Sequence, residues 1–306
     1  MSKNIKNRIV ITGGSGFIGT SLLMALKNNG IENIIVIDRH KPIINPSKTV
    51  LGDFGNARLL KNSLQEDDIV IHLACSTIPT TSESDKARDV NENIIKTLRL
   101  LEICEQKKIN KFIFISSGGT VYGHHGKKKL KETDQTNPIN AHGIMKLAIE
   151  KYILLFNHIY GLNYLILRPS NPYGWQIDRQ KQQGIIDVFL RKAINNEILE
   201  VWGNGKIVRD YIYIDDLINF IITALEAPIT NKIFNVGTGM GADINSLLQI
   251  ISEITGKKLN VHYMVKRNFD VPYNVLNIEK AYELINWKPE ITIEKGITQV
   301  YKNMVK

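Results

Sequence analysis

The segment Ile9-Val10-Ile11-Thr12-Gly13-Gly14-Ser15-Gly16-Phe17-Ile18-Gly19 constrains this chain more than any other, because it runs an apolar strand into a helix through glycines at fixed spacing. Gly13 permits the tight turn, Gly16 permits a pyrophosphate to approach the backbone, and Gly19 permits the helix to pack close to the strand. Gly16, Phe17 and Ile18 open a helix whose N-terminal amides suit an anion. About twenty residues on, Asn33-Ile34-Ile35-Val36-Ile37 reads as a second buried strand ending at Asp38. A carboxylate there accepts from a ribose 2′-hydroxyl and repels a 2′-phosphate, which predicts NAD over NADP. Arg39 pulls the other way, since a guanidinium pairs with phosphate.

Apolar strand-like runs alternate with helical patterns through the first half: Ile9 to Thr12, Ile34 to Asp38, Thr49 to Leu51, Ile69 to Leu73, Phe112 to Ser116 and Tyr164 to Arg168. Between the fourth and fifth, Asp85 to Lys108 carries Val90, Ile94, Ile95, Leu98, Leu101 and Ile103 at helical spacing and reads as one crossover helix. Such alternation predicts an α/β fold, a Rossmann doubly wound parallel sheet with helices on both faces. Past Asn171 the elements shorten. The prediction is a cofactor domain over 1–170 and a smaller C-terminal α/β substrate lobe over 171–306, interleaved because no linker, repeat or low-complexity tract separates them.

Composition narrows the classes of function. No apolar run approaches the ~20 residues of a membrane span, and the polar stretch Met1 to Arg8 leads straight into the first strand, so neither membrane nor signal peptide is expected and a cytoplasmic location is. Cys75 and Cys104 are too few for a disulfide framework and lack metal-ligand spacing, so they read as buried structural thiols and no metal is expected. The net charge of +9 is scattered, and its densest run, Lys127-Lys128-Lys129-Leu130-Lys131, precedes Glu132 and Asp134 as a solvated loop would. No nucleic-acid-binding signature is present.

Chemistry in an open parallel sheet sits at the carboxyl ends of its strands. The fifth run ends in Ile115-Ser116-Ser117-Gly118-Gly119-Thr120-Val121-Tyr122-Gly123, and Asn137-Pro138-Ile139-Asn140-Ala141-His142-Gly143-Ile144-Met145-Lys146 enters a helix continuing to Tyr160. With Leu51-Gly52-Asp53-Phe54, His72-Leu73-Ala74, Asn91 and Arg168-Pro169-Ser170-Asn171-Pro172-Tyr173-Gly174, these motifs span the chain. It resembles the extended short-chain dehydrogenases, most closely the NAD-dependent nucleotide-sugar epimerases such as UDP-hexose 4-epimerases. The resemblance implies that Asp53 and Phe54 flank the adenine, that Leu73, Ala74 and Asn91 contact the cofactor, and that Lys146 binds the nicotinamide ribose. It implies that Asn171, Arg209 and Arg267 hold a diphosphate, that Trp202 lies in the nucleotide-binding turn, that Asp270 binds ribose, and that Asn274 sets sugar-pocket size. A side chain smaller than Tyr at Asn274 leaves room for an N-acetyl group, so UDP-GlcNAc and UDP-GalNAc join UDP-glucose and UDP-galactose as expected substrates.

Two positions depart from the family. Its catalytic Tyr, four residues before the Lys, is here His142, and its Ser or Thr, three residues before Val-Tyr-Gly, is here Gly118. Imidazole is a competent base, with an ordinary pKa of about 6.5, but a shorter one than a phenol. Three roles are open to His142: a working base, a replacement that leaves binding without turnover, or a bystander to a reaction needing no base there. Ser117 or Thr120 can stand in for the hydroxyl missing at Gly118. A 4,6-dehydratase requires an acid and a base where Gly119 and Thr120 stand, and a 4-ketosugar reductase requires NADPH, against which Asp38 argues. The reading is a 4-epimerase using NAD with His142, Lys146, Ser117 and Thr120 at its centre; the alternatives are a silent binder or a reductase. The resemblance also implies a homodimer, through the helix containing Asn91 to Lys107 and the helix after Lys146.

Overall fold

The computed structural model describes residues 5–77, 79–175, 184–265 and 271–305. Its main sheet has seven parallel strands: β1 Ile9–Thr12, β2 Ile34–Asp38, β3 Lys48–Leu51, β4 Ile69–His72, β5 Lys111–Ile115, β7 Tyr164–Pro169 and β11 Lys232–Val236. They run in the order β3-β2-β1-β4-β5-β7-β11. The inner strands are buried on both faces, which is why they read as continuous apolar runs and not as alternating ones. Order reverses between β1 and β4, and a crevice opens there at the carboxyl ends. Ile9 and Ile11 pack with Leu22 and Leu26 of α1 (Phe17–Asn28) and Leu217 and Ile221 of the later helix α8 (Ile214–Glu226). Val10 and Phe112 point the other way, toward Leu100 and Leu101 of α5 (Lys96–Gln106) and Ile149 and Ile153 of α6 (Ala141–Tyr160).

The stretch expected to be one crossover helix is helical throughout from Lys86 to Gln106, with a wider turn set into it. After α2 (Ala57–Ser63) and α3 (Pro79–Ser84) come α4 (Lys86–Asp89), a π-helical turn over Val90–Ile95, and then α5. The wide turn coincides with Asn93 facing inward: its Oδ1 accepts from Ser76 N, and its Nδ2 donates to Thr77 Oγ1 and Asp89 Oδ1, each at 2.8 Å. Wide turns of this kind often mark functional positions.

The second half builds around β10 (Val208–Tyr213), which pairs parallel with β14 (Tyr273–Leu276) at its start and with β8 (Asn171–Tyr173) at its end, and antiparallel with β12 (Gly241–Asp243). β6 (Lys129–Leu130) extends β14, and β9 (Leu199–Trp202) pairs with β13 (Val261–Met264). Helices α7 (Ile185–Ile194), α9 (Ile244–Thr255) and α11 (Ile293–Met304) cover these strands, while α10 (Glu279–Ile285) packs beside β11.

A buried polar chain fastens the two halves. Arg168 donates from Nε and Nη2 to the Glu150 carboxylate at 3.0 and 2.6 Å and from Nη1 to the Tyr122 hydroxyl at 2.9 Å. Tyr122 in turn donates to Asn235 Oδ1 at 2.6 Å, and Asn235 Nδ2 reaches Leu130 O at 2.8 Å. Each charge is paired and bonded, the condition under which burial is tolerated. Among the described residues no helix is long and apolar enough to cross a membrane.

Candidate active site

The cofactor cleft, about 280 Å³, lies where β1, β2, β3 and β4 end, and Gly13, Gly16, Asp38, Phe54, Leu73 and Ala74 all line it. Gly13 has φ +79°, and a Cβ there would stand 2.6 Å from Ala74 N, so its smallness serves close approach as well as the turn. Gly19 would carry its Cβ 2.5 Å from Gly13 O, which is the tight helix–strand packing expected. A Cβ on Gly16 would meet nothing nearer than Gly13 O at 3.4 Å, so the room beside Gly16 is room for a ligand and not for protein. No side chain caps α1 at Gly16, leaving the first amides of Phe17 and Ile18 to an anion. Asp38 sits at the rim with Oδ2 accepting from Ser15 N and Oδ1 from His40 N, both at 3.0 Å. A glycine cradle, an uncapped helix terminus and a carboxylate at the end of β2 fit a dinucleotide.

Two residues of this region, Asn91 and Cys75, sit otherwise than their sequence context predicts. Asn91 is exposed on the π turn and does not line the cleft, whereas Asn93 turns inward and fixes the Ser76 amide at the cleft edge. Asp53 lies beside the cleft with its carboxylate engaged: Lys96 Nζ donates to Oδ2 at 2.7 Å and Gly55 N to Oδ1 at 2.8 Å. Burial pushes the Asp53 carboxyl up, but those donors outweigh it and hold the group below the usual carboxylate range. Cys75, read as a buried structural thiol, is partly exposed and lines the cleft, while Cys104 is buried.

The catalytic candidates converge on the end of β5 and the first turns of α6. Asn140 Oδ1 accepts from Gly143 N at 2.8 Å and Glu83 of α3 accepts from Ala141 N at 3.1 Å, so the helix start is fixed from two sides. His142 and Lys146 follow on one face, four residues apart. Lys146 is buried; its Nζ donates to Ile115 O at 2.8 Å and stands 4.9 Å from the centre of the Phe114 ring. His142 Nδ1 is buried with no hydrogen-bond partner among the described residues. Burial, with the Lys146 charge adding to it, pushes the imidazole down to about 3, so the ring is neutral at physiological pH.

Packing fixes the direction of residue 118 at the end of β5. A Cβ on Gly118 would strike Leu276 Cδ1 at 2.6 Å and Arg168 O at 2.8 Å, so residue 118 points into the protein. A Cβ on Gly119 would lie 3.6 Å from Asn171 Oδ1 and 3.8 Å from Ser117 Oγ, which places Ser117 on the side of Asn171. Thr120 Oγ1 is buried and unpartnered among the described residues.

A second cavity of about 360 Å³ gathers Asn171, Trp202 and Arg209 with Tyr173, Glu200 and Tyr211. Asn171 Nδ2 donates to Asp210 O at 2.8 Å, and Arg209 Nη1 is anchored on Val208 O at 2.9 Å. Asn274 does not line this cavity; it is buried on β14, opposite Arg209 on β10, with Nδ2 donating to Gly118 O at 3.1 Å and Oδ1 unpartnered among the described residues. Arg267 and Asp270 lie outside the described residues. Among the described residues no cluster of His, Cys, Asp or Glu is placed to hold a metal ion. Lys96 and Glu83 carry no sequence signal, since the first reaches Asp53 and the second Ala141 from elements distant in the chain.

A glycine-cradled dinucleotide cleft beside a Lys-bearing helix, together with a second cavity that has aromatic and cationic walls, defines an NAD-dependent enzyme of the extended short-chain dehydrogenase type. The chain belongs to the NAD dependent epimerase/dehydratase family, whose model matches residues 9–237. It is 34% identical over 302 residues to a putative UDP-glucose 4-epimerase of Methanocaldococcus jannaschii, covering 95% of this chain and 96% of that one. Its structure is similar to the UDP-glucose 4-epimerase of Thermotoga maritima with UDP-glucose (TM-score 0.91, 32% identity, 98% of this chain and 100% of that one). It is also similar to the UDP-N-acetylglucosamine 4-epimerase of Methanobrevibacter ruminantium (TM-score 0.88, 28% identity, 98% of each). The protein is an NAD-dependent nucleotide-sugar epimerase.

Proposed function

We propose that the protein inverts C4 of a UDP-hexose or UDP-N-acetylhexosamine, with His142 accepting and returning the proton of the 4-hydroxyl. The observation that carries this reading is the buried, partnerless Nδ1 of His142, one turn before a lysine held at the carboxyl end of β5. A neutral imidazole is the proton-accepting form. NAD, held by Gly13, Gly16, Phe17, Ile18, Asp38, Phe54, Leu73, Ala74 and Lys146, supplies a hydride acceptor and donor. Ser117 or Thr120, whose Oγ1 is buried without a partner among the described residues, supplies the hydroxyl that hydrogen-bonds the sugar. Asn171, Arg209 and Arg267 anchor the diphosphate, which keeps the sugar in place while its ring presents either face. Asp270 binds ribose, and the small Asn274 leaves room for an N-acetyl group.

The replacement of the family's Tyr by His142, a shorter base than a phenol, also favours a second reading, a protein that holds cofactor and nucleotide sugar with little turnover. Purified wild type, His142→Ala and His142→Tyr, each given UDP-glucose and UDP-GlcNAc, separate the two when the C4 epimer is followed by NMR. The base reading requires turnover in wild type that His142→Ala abolishes. Silence in wild type with turnover only in His142→Tyr removes it. We further propose a homodimer through α5 and α6, because α6 leaves Ile144, Tyr152, Leu155 and Ile159 exposed on a helix whose other face is in the core.

A further inference from the structure

Strand β9 alternates: Leu199 and Val201 are buried, while Glu200 and Trp202 face outward and both line the nucleotide cavity. Pairing with β13 fixes that phase, since Glu200 lies opposite His262 and Trp202 opposite Met264 in register. Glu200 is exposed at the cavity wall, so its carboxylate is available to a ligand there. In a cavity for an anionic ligand a carboxylate is useful only where it stands away from the diphosphate and meets a donor. The diphosphate end is marked by Asn171 and Arg209, and the aromatic wall for a base by Trp202. Two residues along the same strand face is about 6.7 Å, so Glu200 stands beside the edge of a ring stacked on Trp202.

We infer that Glu200 reads the nucleobase, its carboxylate accepting a hydrogen bond from the ring imide N3–H of uracil; this rests on the UDP-sugar reading above. Uracil carries a proton at N3 where cytosine carries a lone pair, so an acceptor-only group at that point favours the first and repels the second. The carbonyls flanking N3 allow one carboxylate oxygen in line with the N–H and exclude a two-point contact. Glu200 is thus a specificity-determining residue on the side of the ligand remote from the reacting carbon.

The test is calorimetric titration of the NAD-loaded protein with UDP, N3-methyl-UDP and 2′-deoxy-UDP, using wild type, Glu200→Gln and Glu200→Ala. Wild type should bind N3-methyl-UDP about tenfold or more weakly than UDP, the worth of one charged hydrogen bond. Glu200→Ala should shrink that gap by about fivefold or more, and Glu200→Gln, which retains a neutral acceptor, should leave it intermediate. Bound NAD, held in the other cavity, reports that each variant is folded. An unchanged gap in Glu200→Ala with UDP still binding overturns the inference alone. A gap between UDP and 2′-deoxy-UDP that closes in Glu200→Ala overturns it too, by assigning the carboxylate to ribose. Wild type that does not bind UDP removes the UDP-sugar reading and this inference together.

Discussion

Asp187 should cost this protein stability above neutral pH, and removing its charge should return it. The residue sits in the first turn of α7, 2% exposed, and neither carboxylate oxygen has a hydrogen-bond partner among the described residues. The phenols of Tyr173 and Tyr213 feel its charge, and both are pushed up in pKa by burial first and by neighbouring ionisable groups, Asp187 among them, after that. Burial alone raises the Asp187 carboxyl from 3.8 to about 7. The folded state then binds the proton more tightly than the unfolded one. Stability from this group is fully present below pH ~4 and is lost as pH rises through ~7. A rise from 3.8 to about 7 is worth about 4 kcal/mol at the alkaline limit, at about 1.4 kcal/mol for each tenfold change in proton affinity. For a chain of 306 residues, with an unfolding entropy of about 2.1 cal/mol/K per residue, that is about 6 °C in Tm. Asp187→Asn keeps the shape and the buried polar atoms and drops only the charge. Calorimetric scans of both proteins should show the variant more stable by several degrees at pH 8.5 and by less than about two degrees at pH 4.5. A difference that does not change with pH, or a variant less stable at pH 8.5, refutes the assignment of an unpaired buried carboxyl.

With its imidazole at about 3, His142 stays neutral through the acid range, so kcat/KM for C4 inversion should show no limb near pH 6.5. An acid limb there that vanishes in His142→Tyr contradicts the depressed value. Gly118→Ser restores a hydroxyl in sequence but not in space, because its Cβ meets Leu276 and Arg168 O; it should lower stability by about 1–3 kcal/mol in denaturant titration without raising turnover. Ser117→Ala, on the open side, should lower kcat with little change in stability. Leu155→Glu puts a charge on the exposed apolar face of α6 and should turn the proposed dimer into monomers in light scattering, with the far-UV spectrum unchanged; a wild type that is already monomeric refutes the proposed interface.

Where a requirement is local, the chain declares it. The glycine turn, the six apolar runs and the placing of His142 and Lys146 one helical turn apart all follow from residues within a few positions of one another. Where a requirement depends on phase, reading is weaker. Asn91 and Asn93 are both in the right stretch, and the π turn decides that the second points inward. The hydroxyl at the end of β5 is a similar case: spacing points to residue 118, while packing against Leu276 turns that position inward and leaves Ser117 facing Asn171. The seventh strand, β11, mixes Lys232 and Asn235 with its apolar residues and so lacks a continuous apolar run, and its pairing with β7 is what brings it into the sheet.

Backbone sterics and apolar periodicity act over short stretches of chain, so the dinucleotide cradle, the parallel α/β architecture, the preference for NAD and the order of the site motifs are all written in the amino-acid order alone. Folding adds which side chain at each motif faces the ligand, which carboxylates are paired and which stand alone. A shift of one residue in a strand reverses its face, and the proton affinity of a carboxyl or an imidazole is set by partners and burial supplied from elsewhere in the chain. That is why His142 is visible as a substitution in the bare sequence, and why its neutral, buried, partnerless state emerges only from the fold.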